Sequence, residues 1–112
     1  MTVRLGRFPQ SVAEVLGDPD GSVEFHYTRP KTWPNRGRVA LMETRPEAGQ
    51  VLASLSLDPK GTLFFTRTGS KSEGPREVKT DVTEICESRE WIVHLSWGPN
   101  EMAISARAAS RP

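Results

Sequence analysis

Apolar and polar residues alternate with a period of two along most of this chain, and prolines and glycines cut the alternation into short runs. Residues 22–28 place Val23, Phe25 and Tyr27 on one side and Glu24, His26 and Thr28 on the other. That is the pattern of a strand with one buried and one wet face. Residues 51–57 repeat it, with Val51, Ala53, Leu55 and Leu57 expected inward and Ser54 and Ser56 outward. Asp58-Pro59-Lys60-Gly61 then predicts a tight turn. Residues 62–68 form the returning strand, with Phe64 and Phe65 on opposite faces. The most regular run is 90–97, where Trp91, Val93, Leu95 and Trp97 share a side. Gly98-Pro99-Asn100 predicts its turn, and 101–108 the strand back, with Met102, Ile104 and Ala106 inward.

Weaker runs fill the gaps. Residues 3–8 and 76–80 read as short extended pieces, and 38–44 as a strand with Val39 and Leu41 on one face. Turns or loops are expected at 18–21, 31–37, 45–49 and 69–75, and a frayed tail at 109–112. Helical signals are few. Ser11, Glu14 and Gly17 make a capping box closed by a glycine over one or two turns. Val82 and Ile85, three apart, suit either a helical turn or an irregular strand within 81–87. Seven or eight short strands with turn signals at near-regular spacing predict an all-β fold: an antiparallel β-sandwich with one short helical turn.

Composition bounds this picture without redirecting it. At 112 residues the chain suits one domain, 1–112. It is 36% apolar and 26% charged, a ratio that strands with one wet face produce. A net charge of +1, with the arginines spread along the chain, argues against a nucleic-acid partner. The single cysteine, Cys86, excludes an internal disulfide and a Cys-rich metal site, and reads as a small apolar residue at a strand end. The first residues hold no apolar run of signal-peptide length, and no stretch reaches membrane-spanning length. The expectation is a cytoplasmic protein with no membrane partner, or an extracellular one if the chain is a piece of a longer protein.

Three stretches together resemble concanavalin A-like, laminin-G-like jelly rolls. The first is Gly21-Ser22-Val23-Glu24-Phe25-His26-Tyr27-Thr28-Arg29-Pro30, similar to the family's early strand with its aromatic alternation and Arg-Pro end. The second is the hairpin 51–65 with Asp58 to Gly61 at its tip. The third is Trp91-Ile92-Val93-His94-Leu95-Ser96-Trp97 followed by Met102-Ala103-Ile104. They fall in the family's order over about residues 21–107. The resemblance implies a compact jelly roll and a habit of ligand binding. It carries over no calcium site, and the Asp-Gly that often follows the family's last strand is replaced by Ser105-Ala106-Arg107-Ala108.

Candidate chemistry is sparse. No Gly-x-Ser-x-Gly or His-Glu-x-x-His occurs, and the acidic pairs Glu84/Glu87 and Glu87/Glu90 lack strand spacing with a flanking aromatic. No enzyme activity, metal or cofactor is therefore expected. Two sets of residues are candidates for ligand contact. Trp33 stands in a Pro-rich loop with Lys31, Arg36 and Arg38, where an aromatic ring beside forked donors suits a sugar or a partner peptide. The other reading of Trp33 is a ring folded back to plug the end of the sandwich. His26 and His94 lie opposite the apolar side of their strands. If those strands are neighbours, the two rings share a face with Glu24 and Ser96 and could take a metal or a polar ligand. The expected function is a non-catalytic recognition module for a glycan or a protein surface. The alternative is a small structural protein that pairs into a homodimer through a sheet edge or face.

Overall fold

The computed structural model describes residues 6–7, 16, 20–44, 53–68, 75–99 and 101–109. Eight strands and one 3-10 turn appear among them: β1 (Gly6–Arg7), β2 (Gly21–Thr28), β3 (Val39–Thr44), β4 (Ala53–Leu57), β5 (Thr62–Thr68), β6 (Pro75–Asp81), η1 (Thr83–Ile85), β7 (Glu90–Trp97) and β8 (Met102–Ala108). They build two sheets, one ordered β1-β3-β4-β5-β6 and the other β2-β7-β8. The fold is an all-β sandwich, as the alternation predicts. Every ladder is antiparallel except β1–β3, which is parallel. No hairpin joins those two strands, because β2 lies between them in the chain and belongs to the other sheet.

Strand periodicity decides what each sheet contributes to the core. Leu55, Leu57, Leu63 and Phe65 from the larger sheet meet Phe25, Trp91, Val93, Leu95 and Trp97 from the smaller. The Phe65 and Trp97 rings pack edge to face with centroids 6.3 Å apart. Two core residues come from connections: Leu16, a helical residue ahead of β2, and Val82, between β6 and η1. The rest of the expected capping-box helix at 11–17 lies outside the described residues, as do the turn at 45–49 and the inward position of Val51.

Strand β3 departs from plain alternation. Its register with β4 shifts between Ala40 and Met42, so Met42 takes the place opposite Leu55 and Leu41 becomes the extra residue of a bulge. Leu41 and Met42 are both buried in the core, so Leu41 follows Val39 by two as the alternation predicts, and Met42 adds a second apolar residue there. At 81–87 the helical reading holds, as η1. Cys86 caps it instead of ending a strand.

The two ends of the sandwich are closed differently. At one, Trp91 donates its Nε1 proton to the Ile85 carbonyl at 2.9 Å. The rings of Tyr27 and Trp33 stand against it at 6.2 and 6.3 Å. At the other, the Arg67 guanidinium lies 5.6 Å from the Trp97 ring centre, and its Nε donates to the Leu16 carbonyl at 3.1 Å. Beside it Arg76, paired with Arg67 in the β5–β6 ladder, donates to the carbonyls of Gly98 and Pro99 at 2.9 and 3.1 Å. These contacts tie β6 to the β7–β8 turn and join the two sheets along one side.

Burial pushes the Tyr27 phenol up to about 12 from its ordinary 10. The folded state therefore holds the neutral phenol where an unfolded chain has begun to ionise. Stability is intact below pH 10 and falls as pH rises from there through about 12. Tyr27 is the sole tyrosine, so tyrosinate absorbance reads it directly. The expected titration midpoint lies near 12, and a midpoint near 10 would show the ring to be solvated.

Candidate functional site

The loop 29–38 crosses from the end of β2 in the small sheet to the start of β3 in the large one. Its tryptophan turns inward. Trp33 is half-buried, packs its edge on Trp91 and donates Nε1–H to the Pro59 carbonyl at 3.1 Å, at the tip of the β4–β5 hairpin. These are the contacts of a plug. Lys31 and Arg36 are exposed on the same loop.

Arg38 belongs to the outer face of the large sheet. Its guanidinium lies 3.6 Å from the centre of the Phe64 ring and grips the Glu77 carboxylate at 2.6 and 3.2 Å. Phe64, opposite Phe65 in direction, would be an exposed aromatic without this cover, and Ser56, its ladder partner in β4, is buried beside it. The Arg38 hydrogen bond, with a second from the Thr66 hydroxyl at 2.8 Å, holds the Glu77 carboxyl below its ordinary range. Asp81 is lowered likewise by the hydroxyl and the amide of Thr83. Both shifts come from contacts that hold the large sheet and η1 in place.

His26 and His94 lie on the opposite side of the molecule, on the outer face of the small sheet. Strands β2 and β7 are neighbours, with Glu24 opposite His94 and His26 opposite Ile92. The two histidines are thus diagonal partners on one face, as the alternation predicts for adjacent strands. Strand β8 completes the face: Ser105 stands opposite His94, Arg107 opposite Ile92 and Ala103 opposite Ser96. Glu24, His26, His94, Ser105 and Arg107 are exposed, while Ile92 and Ser96 are half-buried. Arg107 reaches across to the Glu24 carboxylate at 3.5 Å, a solvent-screened contact that orients both side chains and adds little stability.

The result is a flat face with Ile92 at its centre. His26 and Arg107 flank it across the strands, and His94 and Glu90 flank it along β7. Ser22, Ser96, Ala103 and Ser105 keep the surround low. Among the described residues no three His, Cys, Asp or Glu side chains converge so as to hold a metal ion. The face can offer imidazole and guanidinium donors, a carboxylate acceptor and one aliphatic patch. Beside its end a shallow depression of about 310 Å³ is lined by Glu87, Ser88, Arg89, Glu90 and Ala109.

The six residues singled out from sequence therefore divide between two places. Trp33, Lys31 and Arg36 lie on the crossing loop and Arg38 at its end over Phe64 of the large sheet, while His26 and His94 define the outer face of the small one. Ile92, Ser105 and Arg107 join that face without having been singled out. Their signal lay in the hairpin: a turn that sets Trp97 opposite Met102 puts Ser105 beside His94. Comparison of the chain with protein-family models, with curated proteins and with solved structures finds no match in any of the three.

Proposed function

We propose that this chain is a non-catalytic recognition module that meets a protein surface through the outer face of β2, β7 and β8. The observation that carries this reading is the placement of Ile92 between His26 and Arg107, with Glu24, His94 and Ser105 around them. An apolar centre with a polar, partly charged rim is the usual anatomy of a protein-binding patch. Among the described residues the face carries no Phe, Tyr or Trp on which a sugar ring could stack, and the Trp33 ring is engaged with Trp91. A protein surface therefore fits this face better than a glycan. The likeness to concanavalin A-like and laminin-G-like jelly rolls belongs to this proposal and makes a glycan the second ligand class to test.

The test places a photo-crosslinking residue at Ser105, on the face, or at Lys79, exposed on the outer side of the large sheet. Protein adducts are expected from position 105 and not from 79. Adducts from 79 alone would move the binding surface to the other sheet. A glycan array probed with the wild-type chain and with His94→Ala addresses the second class: glycan binding lost in the variant would assign this face to a sugar.

A further inference from the structure

Two chain crossings close the Trp91 end of the sandwich, and they carry opposite charge. The loop 29–38 runs from β2 to β3 and holds Arg29, Lys31, Arg36 and Arg38 with no acid. The crossing through η1 runs from β6 to β7, and over 81–90 it holds Asp81, Glu84, Glu87 and Glu90 against Arg89. Sheet topology sets the two apart. Strands β2 and β7 are neighbours, and Arg29 donates its amide proton to the Arg89 carbonyl at 2.9 Å, so the crossings meet at the small sheet. At the large sheet β4 and β5 separate β3 from β6, and the crossings stand three strand spacings apart, about 14 Å. The β4–β5 tip lies between them. Its Pro59 carbonyl accepts from Trp33 on one side, and its Gly61 carbonyl accepts from Val82 on the other. We infer that this end is the contact surface for a second copy of the chain, with the basic crossing of each copy laid on the acidic crossing of the other about a two-fold axis through the tip.

Some of these charges are already engaged within the molecule. Arg38 grips Glu77, Asp81 accepts from Thr83, and the Asp58 carboxylate at the tip accepts from the amides of Lys60 and Thr62. Lys31 and Arg36 remain on one crossing, and Glu84 and Glu87 on the other. All four are exposed, and among the described residues their side chains have no hydrogen-bond or ion-pair partner.

A half-turn about an axis that lies in this end and runs from the large sheet to the small one exchanges the two crossings. Each copy then sets two cations against two carboxylates, and the symmetry does so twice. The other two-fold in the same plane, at right angles, would set basic on basic and is repelled. The depression of about 310 Å³ lined by Glu87, Ser88, Arg89, Glu90 and Ala109 opens on the acidic crossing and gives room for a basic side chain of the second copy. Lys60, at the tip, meets its own counterpart near the axis and opposes the pairing. An interface held by exposed charges is weak and sensitive to salt. It does not rest on the function proposed for the face of β2, β7 and β8.

Sedimentation equilibrium of the full chain, without any partner protein, is the test. The wild type is expected to dimerise reversibly with a dissociation constant of about 100 µM at about 20 mM salt, and about tenfold more weakly at about 0.5 M. The double variant K31E/R36E makes both crossings acidic, and E84K/E87K makes both basic. Each alone is expected to associate at least about tenfold more weakly than wild type at low salt. Mixed in equal amounts, the two variants offer each other opposite charge on both crossings, and they should associate within about threefold of the wild-type constant. Lys60→Ala removes the like charge at the axis and is expected to tighten the dimer about twofold. All five positions are exposed, so the far-ultraviolet circular dichroism of the variants should match wild type. A wild type that is strictly monomeric at low salt, a dimer indifferent to both double variants, or a mixture no more associated than its separate components would each overturn the inference. None of these outcomes depends on whether the face binds another protein.

Discussion

Trp91→Ala is expected to remove about 4 kcal/mol of folding free energy, the cost typical of deleting a fully buried large ring. Trp91 is fully buried, and three elements are built on it. The Tyr27 ring of β2 and the Trp33 ring of the crossing loop stand against it, and the Ile85 carbonyl at the end of η1 accepts its indole proton. Removing the ring leaves a cavity at the closed end of the sandwich and deprives that carbonyl of its donor. Single domains have about 5–15 kcal/mol in total, so the loss takes a large share of the stability. Trp91→Phe keeps most of the packing and loses the hydrogen bond, and is expected to cost about half as much. Urea denaturation followed by far-ultraviolet circular dichroism measures both. A Trp91→Ala loss of under about 1 kcal/mol would mean that this end is not closed as described.

The second large effect falls at Gly61, for reasons of backbone and space together. Gly61 has φ of +91°, and its amide closes the hairpin tip by donating to the Asp58 carbonyl at 3.1 Å. The Asp58 carboxylate accepts from the amides of Lys60 and Thr62 at 3.0 and 2.9 Å, which fixes the turn. A Cβ on residue 61 would stand 2.5 Å from Cγ2 of Thr83. The Gly61 carbonyl also accepts from the amide of buried Val82 at 2.8 Å, so the turn cannot move off without disturbing the core. Gly61→Ala is expected to cost about 3 kcal/mol, of which about 1 is the left-handed backbone. Thr83→Ser removes the methyl and retains the hydroxyl that bonds Asp81 at 2.6 Å. The double variant G61A/T83S should therefore recover the steric part and leave the backbone part. Additive losses in this cycle would contradict the contact.

Much of the fold was legible because strand burial follows a period of two. β2, β5, β7 and β8 lie where the alternation puts them, and the turn residues mark the two hairpin tips. The bulge in β3 was not legible, since Leu41-Met42 is a pair of apolar residues that either register could bury. Nor was the parallel pairing of β1, which depends on where the chain returns after visiting the other sheet. The candidate face was half legible. Alternation put His26 and His94 on the wet sides of their strands, but only the ladder brings Ile92 and Arg107 between and beside them. Among the loop cations, Arg38 shows how proximity in sequence differs from shared surface. Arg38 lies five residues after Trp33, yet the crossing carries it to a different sheet, over Phe64. Sequence spacing across a loop that changes sheets says nothing of shared surface.

Under the proposed function, recognition belongs to the face of β2, β7 and β8 and not to the loop of Trp33. Titration calorimetry with a crosslinked partner, using His94→Glu and Trp33→Ala beside the wild type, separates the two. His94→Glu reverses the chemistry beside Ile92 and should weaken binding by at least about tenfold. Trp33→Ala removes a ring packed on Trp91 and should lower stability while leaving the affinity of the folded chain unchanged. Binding that survives His94→Glu and is lost in Trp33→Ala would place recognition on the loop instead.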